Sequence, residues 1–225
     1  MKIGILLTGH APDDTKAVMG DYDTMFEHLL DGHGFTYDSY AVVDGVFPDG
    51  PEAADGWLIT GSKHGAYEDH PWIPPLEQFI RDLYADGRPM VGICFGHQII
   101  AQAMGGKVEK FDKGWSVGRT GYEIEGRKMH LNAWHQDQVT KVPDGAEVVG
   151  QNDFCRNAAL LYGDRIFTVQ PHPEHTAEFV QRLIELRGRG LVPDPLLDNA
   201  LAQVDQPTDN QIMADRMAAF LKRGV

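Results

Sequence analysis

A cysteine stands between a short apolar run and a helical pattern near the middle of the chain, and this junction limits the folds open to the sequence. Residues 89–93 have the character of a buried strand, and the segment after the cysteine reads as a helix closed by two glycines. Cys94 therefore lies in the turn, flanked by Gly92 and Gly96, which let strand and helix approach closely. The free amides of a helix N-terminus favour a thiolate and can bind an oxyanion, with the N–H of Phe95 as the natural donor. The junction predicts a nucleophile, although an inert buried thiol is the alternative until a base is found.

A histidine and a glutamate near residue 170 supply the base that a thiol nucleophile needs. In the run Gln-Pro-His-Pro-Glu, His172 and Glu174 are two residues apart, and prolines favour an extended backbone, so both side chains point to one side. The segment follows a predicted strand at 164–169, which places the pair at a strand end. His175 should point away from that face and is the weaker candidate. Taken alone, this segment is best interpreted as a proline-rich turn with surface charges. Together with Cys94, it predicts a thiol, an imidazole and a carboxylate that act as a unit.

Two segments carry a resemblance to a known family. Gly-Ile-Cys-Phe-Gly-His-Gln at 92–98 and His-Pro-Glu at 172–174 resemble the class I glutamine amidotransferase family. The resemblance extends from about residue 1 to about residue 185. Residues 57–69 resemble the oxyanion loop of the family, and residues 134–139 resemble a segment of members similar to the glutaminase part of GMP synthetase.

The resemblance implies a mechanism and a set of site residues. The thiolate would attack the γ-carbonyl of glutamine or another γ-glutamyl amide, and the histidine would protonate the departing amine and then activate water against the thioester. No cofactor is implied. The implied residues are a triad of Cys94, His172 and Glu174, oxyanion amides of Gly61 and Phe95, and a substrate contact at Gln98.

Strand-like and helical segments alternate over the first hundred residues, as in parallel βαβ units. The predicted strands lie near 2–8, 35–42, 57–60 and 89–94, and the predicted helices near 21–32, 71–86 and 96–104. Shorter strand-like pieces dominate from 106 to 169, at 107–111, 120–124, 147–150 and 158–162, and helix returns at 176–187. We therefore predict an α/β fold with a doubly wound, mostly parallel sheet flanked by helices and an antiparallel extension; the resemblance implies a flavodoxin-like form of it. The site should lie at the carboxyl ends of the strands.

Length and composition fit one domain. The chain has 225 residues and 42% hydrophobic content, enough to fill the core of one large α/β unit. We predict a single domain over 1–225, with a core at about 1–187 and a helical extension at about 188–225. Asp209 can cap the last helix of the extension, whose apolar stripe consists of Ile212, Met213, Met217, Phe220 and Leu221. We expect the stripe to pack on the chain's own core, with a homodimer or partner interface as the alternative.

Charge and cysteine usage exclude several classes of function. A net charge of −13 argues against binding to nucleic acid or an anionic membrane. Two distant cysteines give no disulfide framework, and Cys155 is expected at a strand or strand edge. The apolar run that begins at Ile3 ends by Leu7, too short for a signal peptide or a membrane span, so the expected compartment is the cytoplasm.

Histidines outside the two motifs invite a metal hypothesis. None has a second ligand at a recognisable spacing, so no metal site is predicted. The histidines in question are His10, His64, His70, His130 and His135. His135 and Asp137 resemble family positions beside the active site, although a solvated strand end explains them equally well. His97 is interpreted as structural, under the cysteine turn.

Three functions remain open. The chain can deliver ammonia to a separate synthetase subunit, hydrolyse γ-glutamyl amides or peptides alone as the similar plant γ-glutamyl peptidases do, or serve as an inactive regulatory module. The loop at 61–65 is closer to the stand-alone subgroup, since tethered glutaminases more often have a second glycine where Ser62 stands. Pro171 replaces the aromatic residue or glycine common before the catalytic histidine. The intact triad disfavours the inactive module.

Overall fold

Five parallel strands form one half of a nine-stranded sheet in the computed structural model, which describes residues 1–224. In sheet order they are β2 (Thr36–Tyr40), β1 (Lys2–Leu6), β3 (Gly56–Ile59), β4 (Met90–Ile93) and β11 (Ile166–Val169). Strands β3, β4 and β11 are buried along their whole length, because other elements cover both faces of the sheet. The parallel half agrees with the predicted doubly wound arrangement.

Four antiparallel strands continue the sheet beyond β11. Their order is β10 (Ala159–Tyr162), β9 (Glu147–Gln151), β6 (Ser116–Ile124) and β7 (Arg127–His135). Strands β5 (Lys107–Lys110) and β8 (Asp137–Lys141) form a separate antiparallel pair. The antiparallel extension is confirmed, while the sequence prediction omits β7 and β8, in which histidine, asparagine and glutamine stand among the apolar residues.

Helices cover both faces of the sheet. They are α1 (Asp13–Met19), α2 (Tyr22–Leu29), α3 (Ile73–Asp86), α4 (Phe95–Ala103), α5 (Ala177–Leu183), α6 (Asp194–Ala202) and α7 (Asn210–Leu221). Side chains of β1 alternate between two core clusters: Ile3 and Ile5 pack with α2 and α7, and Leu6 packs with α3 and α4. A π-helical turn at Ile184–Gly188, hereafter the π-turn, continues α5. Within residues 1–224 no helix combines the length and the apolar character needed to cross a membrane.

The last helix completes the core of the parallel sheet. Met213, Met217 and Phe220 are fully buried in the cluster that contains β1 and β11 residues, which confirms packing on the chain's own core. Two details of the prediction are wrong. Ile212 is 41% exposed, because it lies outside the arc of the helix that faces the sheet. The Asp209 carboxylate does not cap the helix but accepts a hydrogen bond from the N–H of His130 at 2.6 Å, which joins α7 to β7.

Cys155 lies in the loop between β9 and β10, so its predicted place on a strand or strand edge is wrong. The Asn152 side chain organises this loop by accepting hydrogen bonds from the N–H groups of Phe154 and Cys155. Burial raises the pKa of the Cys155 thiol to about 12, so this sulfur is protonated and inert near neutral pH.

Candidate active site

Cys94 lies at the sharp turn between the end of β4 and the first turn of α4. Its backbone has φ 51° and ψ −100°, a conformation that non-glycine residues rarely adopt and that costs about 1–3 kcal/mol. A Cβ at Gly96 would collide with the carbonyl oxygen of Ile59, and one at Gly92 would lie 2.7 Å from the carbonyl of Gly96. The two glycines therefore have the close-packing role that the sequence predicts. The turn presents the thiol, only 5% exposed, at the carboxyl end of β4.

His172 and Glu174 follow β11, the parallel neighbour of β4. The His172 Nδ1–H donates to Glu174 Oε1 at 2.6 Å, and both side chains are almost fully buried. The backbone N–H of His172 donates to the carbonyl of Asn132 at 2.8 Å, which holds the histidine against β7. Burial opposes protonation of the ring, but the Cys94 sulfur and the Glu174 carboxylate outweigh it and raise the pKa of His172. The pair is thus suited to hold an imidazolium beside a thiolate.

Gly61 follows β3 and lies close to the side chains of Cys94 and His172. A Cβ at Gly61 would be 2.9 Å from His172 Cε1 and 3.8 Å from Cys94 Cβ. The hydroxyls of Thr8 and Thr60 donate to the Gly61 carbonyl at 3.0 and 3.1 Å, which anchors its backbone at the end of the sheet. Gly61 and Phe95, the first residue of α4, therefore bring their backbones to the cysteine turn from two different elements.

A pair of glutamine side chains connects the thiol to α4. The Gln170 Nε2 donates to the Cys94 sulfur at 3.5 Å, and its Oε1 accepts from Gln98 Nε2 at 3.1 Å. Gln98 also donates to the carbonyl of Asp137 at 2.9 Å. The sequence prediction places Gln98 at the site but misses Gln170, whose signal is its position at the end of β11, two residues before His172.

His175 does not point away from the site, as the extended-strand argument expects. Its ring stacks on the His172 ring with centroids 4.0 Å apart and planes 5° from parallel. The chain turns after His172 and begins α5 with Thr176 as its N-cap, so strict alternation ends before His175. Burial, and then the neighbouring His172, lower the pKa of His175 well below its ordinary value, which keeps its ring neutral.

Three further predicted positions lie around the site. His97 is fully buried under the turn, with Nδ1 2.8 Å from the Thr168 hydroxyl, and burial lowers its pKa to about 3, in agreement with a structural role. His135 is 3% exposed and burial lowers its pKa to about 3, so a solvated strand end does not describe it. Asp137 accepts a hydrogen bond from the Tyr67 hydroxyl at 3.1 Å, and burial raises its pKa.

A cavity of about 230 Å³ includes Cys94 and extends over both sides of the sheet edge. Elements on the α4 side contribute Gln98, Tyr67 and Asp137, and we call this the α4 half. Elements on the other side, which we call the α2 half, contribute Tyr22 from α2, Leu183 from α5, Arg187 from the π-turn, Trp115, Trp134 and Leu191. A water-sized molecule needs only about 10–15 Å³ on such a measure, so the cavity has room for more than ammonia beside a glutamyl group.

Two groups of side chains could hold a metal ion among the described residues. In each group the candidate ligand atoms lie within 4.8 Å of one another. The groups are His64, Glu68 and His70, and His172, Glu174 and His175. In the first, Glu68 accepts from His70 at 2.8 Å and lies 3.4 Å from His64 Nδ1, so these side chains stabilise one another without an ion. The second contains the candidate base, and a metal there would occupy the atoms that proton transfer requires.

Comparison with known proteins gives one consistent result. Residues 51–184 match the family model described as glutamine amidotransferase class-I. The chain is 28% identical to γ-glutamyl peptidase 3 of Arabidopsis thaliana over 92% of this chain and 91% of that protein. It is 35% identical to the glutamine-hydrolysing GMP synthase of Thermus thermophilus over 54% of this chain and only 27% of that protein. The crystal structure of a glutamine amidotransferase from Methylobacillus flagellatus covers all of this chain and 95% of its own, with a TM-score of 0.78 at 21% identity.

Proposed function

This chain belongs to the class I glutamine amidotransferase family, and from that premise we propose that it cleaves a γ-glutamyl amide bond through a thioester on Cys94. The observation that carries the proposal is the buried His172–Glu174 pair, joined at 2.6 Å, at the end of the strand next to that of the thiol. Gly61 lies against both reactive side chains and supports an anion hole shared with the Phe95 amide. The substrate is glutamine or a related γ-glutamyl compound.

The first half of the reaction forms the thioester. The Cys94 thiolate attacks the γ-carbonyl carbon, and the carbonyl electron pair moves to the oxygen, which accepts hydrogen bonds from the Gly61 and Phe95 amides. Protonated His172 then gives its proton to the leaving nitrogen while the carbon–nitrogen bond breaks. The raised pKa of His172, due to Cys94 and Glu174 against the effect of burial, supports a histidine that carries this proton at neutral pH.

The second half returns the enzyme to its starting state. Neutral His172 takes a proton from water as the water oxygen attacks the thioester carbon. The carbon–sulfur bond breaks, glutamate leaves, and the thiolate and imidazolium are restored. Glu174 fixes the ring so that Nε2 is free for both transfers, because Nδ1 is held by the carboxylate.

Two candidate functions differ in what happens to the nitrogen that is released. A relative named GMP synthase, of which this chain matches 27%, supports a glutaminase subunit that supplies ammonia to a synthetase partner. A relative named γ-glutamyl peptidase, matched over 91% of its length, supports a hydrolase that acts alone on larger γ-glutamyl compounds. The α2 half of the cavity favours the second candidate, because ammonia needs no such space beside the thiol.

The experiment that separates these candidates uses the purified chain alone. Released amine is measured with glutamine and with a panel of γ-glutamyl amides and dipeptides. Efficient cleavage of a γ-glutamyl dipeptide by the chain alone contradicts the subunit candidate, whereas fast turnover of glutamine only after a synthetase is added contradicts the peptidase candidate. Cys94→Ala should abolish every turnover, and Cys155→Ala should keep it, since that second thiol is buried in a loop.

Labelling tests the chemistry against an inactive module. A chloroketone derived from glutamine should add one adduct to the wild type and to Cys155→Ala, located at Cys94 by peptide mass. Cys94→Ala should give none. Absence of an adduct in the wild type, with a folded protein by circular dichroism, would support the inactive regulatory module instead.

A further inference from the structure

A guanidinium with no acidic partner faces the α2 half of the cavity. Arg187 lines the cavity, and the one hydrogen bond of its side chain to the described residues runs from Nη2 to the backbone carbonyl of His10, at 3.2 Å. Within residues 1–224, no carboxylate lies within 4.0 Å of this guanidinium. Its neighbours in sequence are paired: Arg182 contacts Glu178 at 3.2 Å, and Arg189 contacts Asp194 at 2.7 Å. An unpaired cation in a chain of net charge −13 is available for an anion brought by a ligand.

The π-turn explains why Arg187 reaches the cavity. A π-turn inserts one residue into the helical register and re-aims the side chains that follow, and such turns are frequent at functional sites. The turn ends at Gly188, where a Cβ would lie 3.1 Å from Cη2 of Trp134. A side chain at this position would press on the indole and, at 3.0 Å, on Cδ2 of Leu197, so glycine lets the turn lie close to both. The π-turn therefore brings Arg187 and Trp134 to the same part of the cavity.

The α2 half is also the side on which the leaving group should lie. His172 must stand next to the departing nitrogen, because it supplies the proton. A row of neighbouring rings runs from His172 towards α2. The ring centroids are 4.0 Å apart for His172 and His175, 4.5 Å for His175 and Phe179, and 6.2 Å for Phe179 and Tyr22. Gln98 belongs to the α4 half, where it faces the thiol through Gln170. A γ-glutamyl group near Gln98 would thus direct its amine substituent towards Tyr22 and Arg187.

The chemistry of the α2 half defines what this substituent should be. Its walls are indole rings and leucine side chains, and two cations without an ion pair among residues 1–224, Arg187 and Lys63, lie on this side. The walls are Trp115, Trp134, Leu183 and Leu191. We propose that the α2 half is a leaving-group subsite for an apolar amine bearing a carboxylate, with Arg187 as the residue that binds that carboxylate. The substrate class is then a γ-glutamyl dipeptide with an apolar C-terminal residue, which rests on the proposed function and deepens it.

Three substrates test the subsite on the intact chain. γ-Glutamyl-leucine carries both features, γ-glutamyl-isopentylamide is the same molecule without the carboxylate, and γ-glutamyl-glycine lacks the apolar side chain. We expect kcat/KM for γ-glutamyl-leucine to exceed each of the other two by about 10-fold or more, since a hydrogen-bonded charge pair and a buried side chain each contribute at this scale. An equal or better kcat/KM for the isopentylamide would overturn the assignment.

Arg187→Gln identifies the residue responsible. This change should lower kcat/KM for γ-glutamyl-leucine by about 10- to 100-fold and for the isopentylamide by less than about 3-fold. Arg182→Gln, on the same helical segment but outside the cavity, is the matched control and should keep the wild-type preference. An equal loss on both substrates in Arg187→Gln indicates a structural effect and overturns the role of Arg187.

A binding measurement separates the subsite from the catalytic proposal. Cys94→Ala titrated by calorimetry should bind γ-glutamyl-leucine at least about 10-fold more tightly than the isopentylamide, and adding Arg187→Gln should remove the difference. Wild-type protein that binds γ-glutamyl-leucine in this way without cleaving it contradicts the proposed function and leaves the subsite supported. Equal binding of the two ligands to Cys94→Ala overturns the subsite, whatever the turnover.

Discussion

His172 is positioned by buried groups on two sides, so its chemistry depends on residues that need not touch substrate. Glu174 holds Nδ1 at 2.6 Å, and the neutral ring of His175 stacks on the face of the His172 ring, with the ring centroids 4.0 Å apart. A neutral neighbour matters here, because a second imidazolium at this distance would lower the pKa of His172. The His175 ring thus holds the His172 ring in position without placing a second positive charge beside it.

Glu174→Gln tests how the carboxylate sets the proton affinity of His172. Burial alone would lower the pKa of His172, and the carboxylate contributes to raising it. In Glu174→Gln the pKa of His172 should fall. As the pH rises, the imidazolium and the activity that requires it are then lost at a lower pH than in the wild type. We expect kcat to drop by about 10²- to 10⁴-fold and the alkaline limb of kcat/KM to move towards acid. An unchanged alkaline limb would contradict this role; Glu178→Gln, exposed on α5, is the control.

Gln170→Leu tests the amide that joins the thiol to Gln98. Its Nε2 is 3.5 Å from the sulfur and can donate to the thiolate, and leucine keeps the size of the side chain without the donor. We expect kcat/KM to fall by about 10-fold or more, with the folded structure retained in circular dichroism. Gln138→Leu removes another buried amide, one that donates to the Phe154 carbonyl, and should affect turnover less. Equal losses in the two variants would refute a specific role for Gln170.

At the scale of elements, four strand ends and the segments after them bring the site together. Cys94 follows β4, Gly61 follows β3, and His172 follows β11, all at one edge of the parallel sheet. The hydroxyl of Ser62 donates to the carbonyl of Thr8, after β1, at 2.6 Å and fixes the loop that contains Gly61. The loop is therefore tied to the sheet rather than to the substrate.

Gly61→Ala tests the close approach of this loop to the His172 ring, the proposed base. The new Cβ would lie 2.9 Å from His172 Cε1, and the ring cannot move away because Glu174 and His175 hold it. We expect kcat to fall by about 10- to 100-fold, as for a misplacement of catalytic groups by a fraction of an ångström to an ångström. Gly121→Ala, whose Cβ would meet His130 Nε2 at an ordinary 3.6 Å, should retain wild-type kcat. A fully active Gly61→Ala enzyme would exclude a tight contact.

Across the whole molecule, the sequence predicts what is local and misses what depends on distant segments. The strand, Cys94 and helix are adjacent in sequence, so their junction follows from glycine spacing and apolar pattern. The position of His175 depends on where the chain turns into α5, and Arg187 reaches the cavity only through the π-turn. The contact between Trp134 and Gly188 joins β7 to that turn across more than fifty residues. No periodic pattern in either segment encodes such a contact.

The C-terminal helix offers a test of whether the tail is part of the folding unit. Met217 is fully buried among residues of the parallel sheet, and Ile212 of the same helix is 41% exposed. Truncation of a buried methionine leaves a cavity, so Met217→Ala should lower the free energy of unfolding by about 2–5 kcal/mol. Ile212→Ala removes little buried surface and should change it by less than about 0.5 kcal/mol.

Urea unfolding followed by tryptophan fluorescence measures both variants, with the midpoint and the slope of each transition recorded. A single transition that shifts as a whole in Met217→Ala means that α7 and the parallel sheet unfold together. The tail then supports the site mechanically, since the cluster that holds Met217 also contains Cys94 and Val169 of β11. Equal effects of the two substitutions would instead mean that α7 is only loosely attached, and that the sheet holds the active site without it.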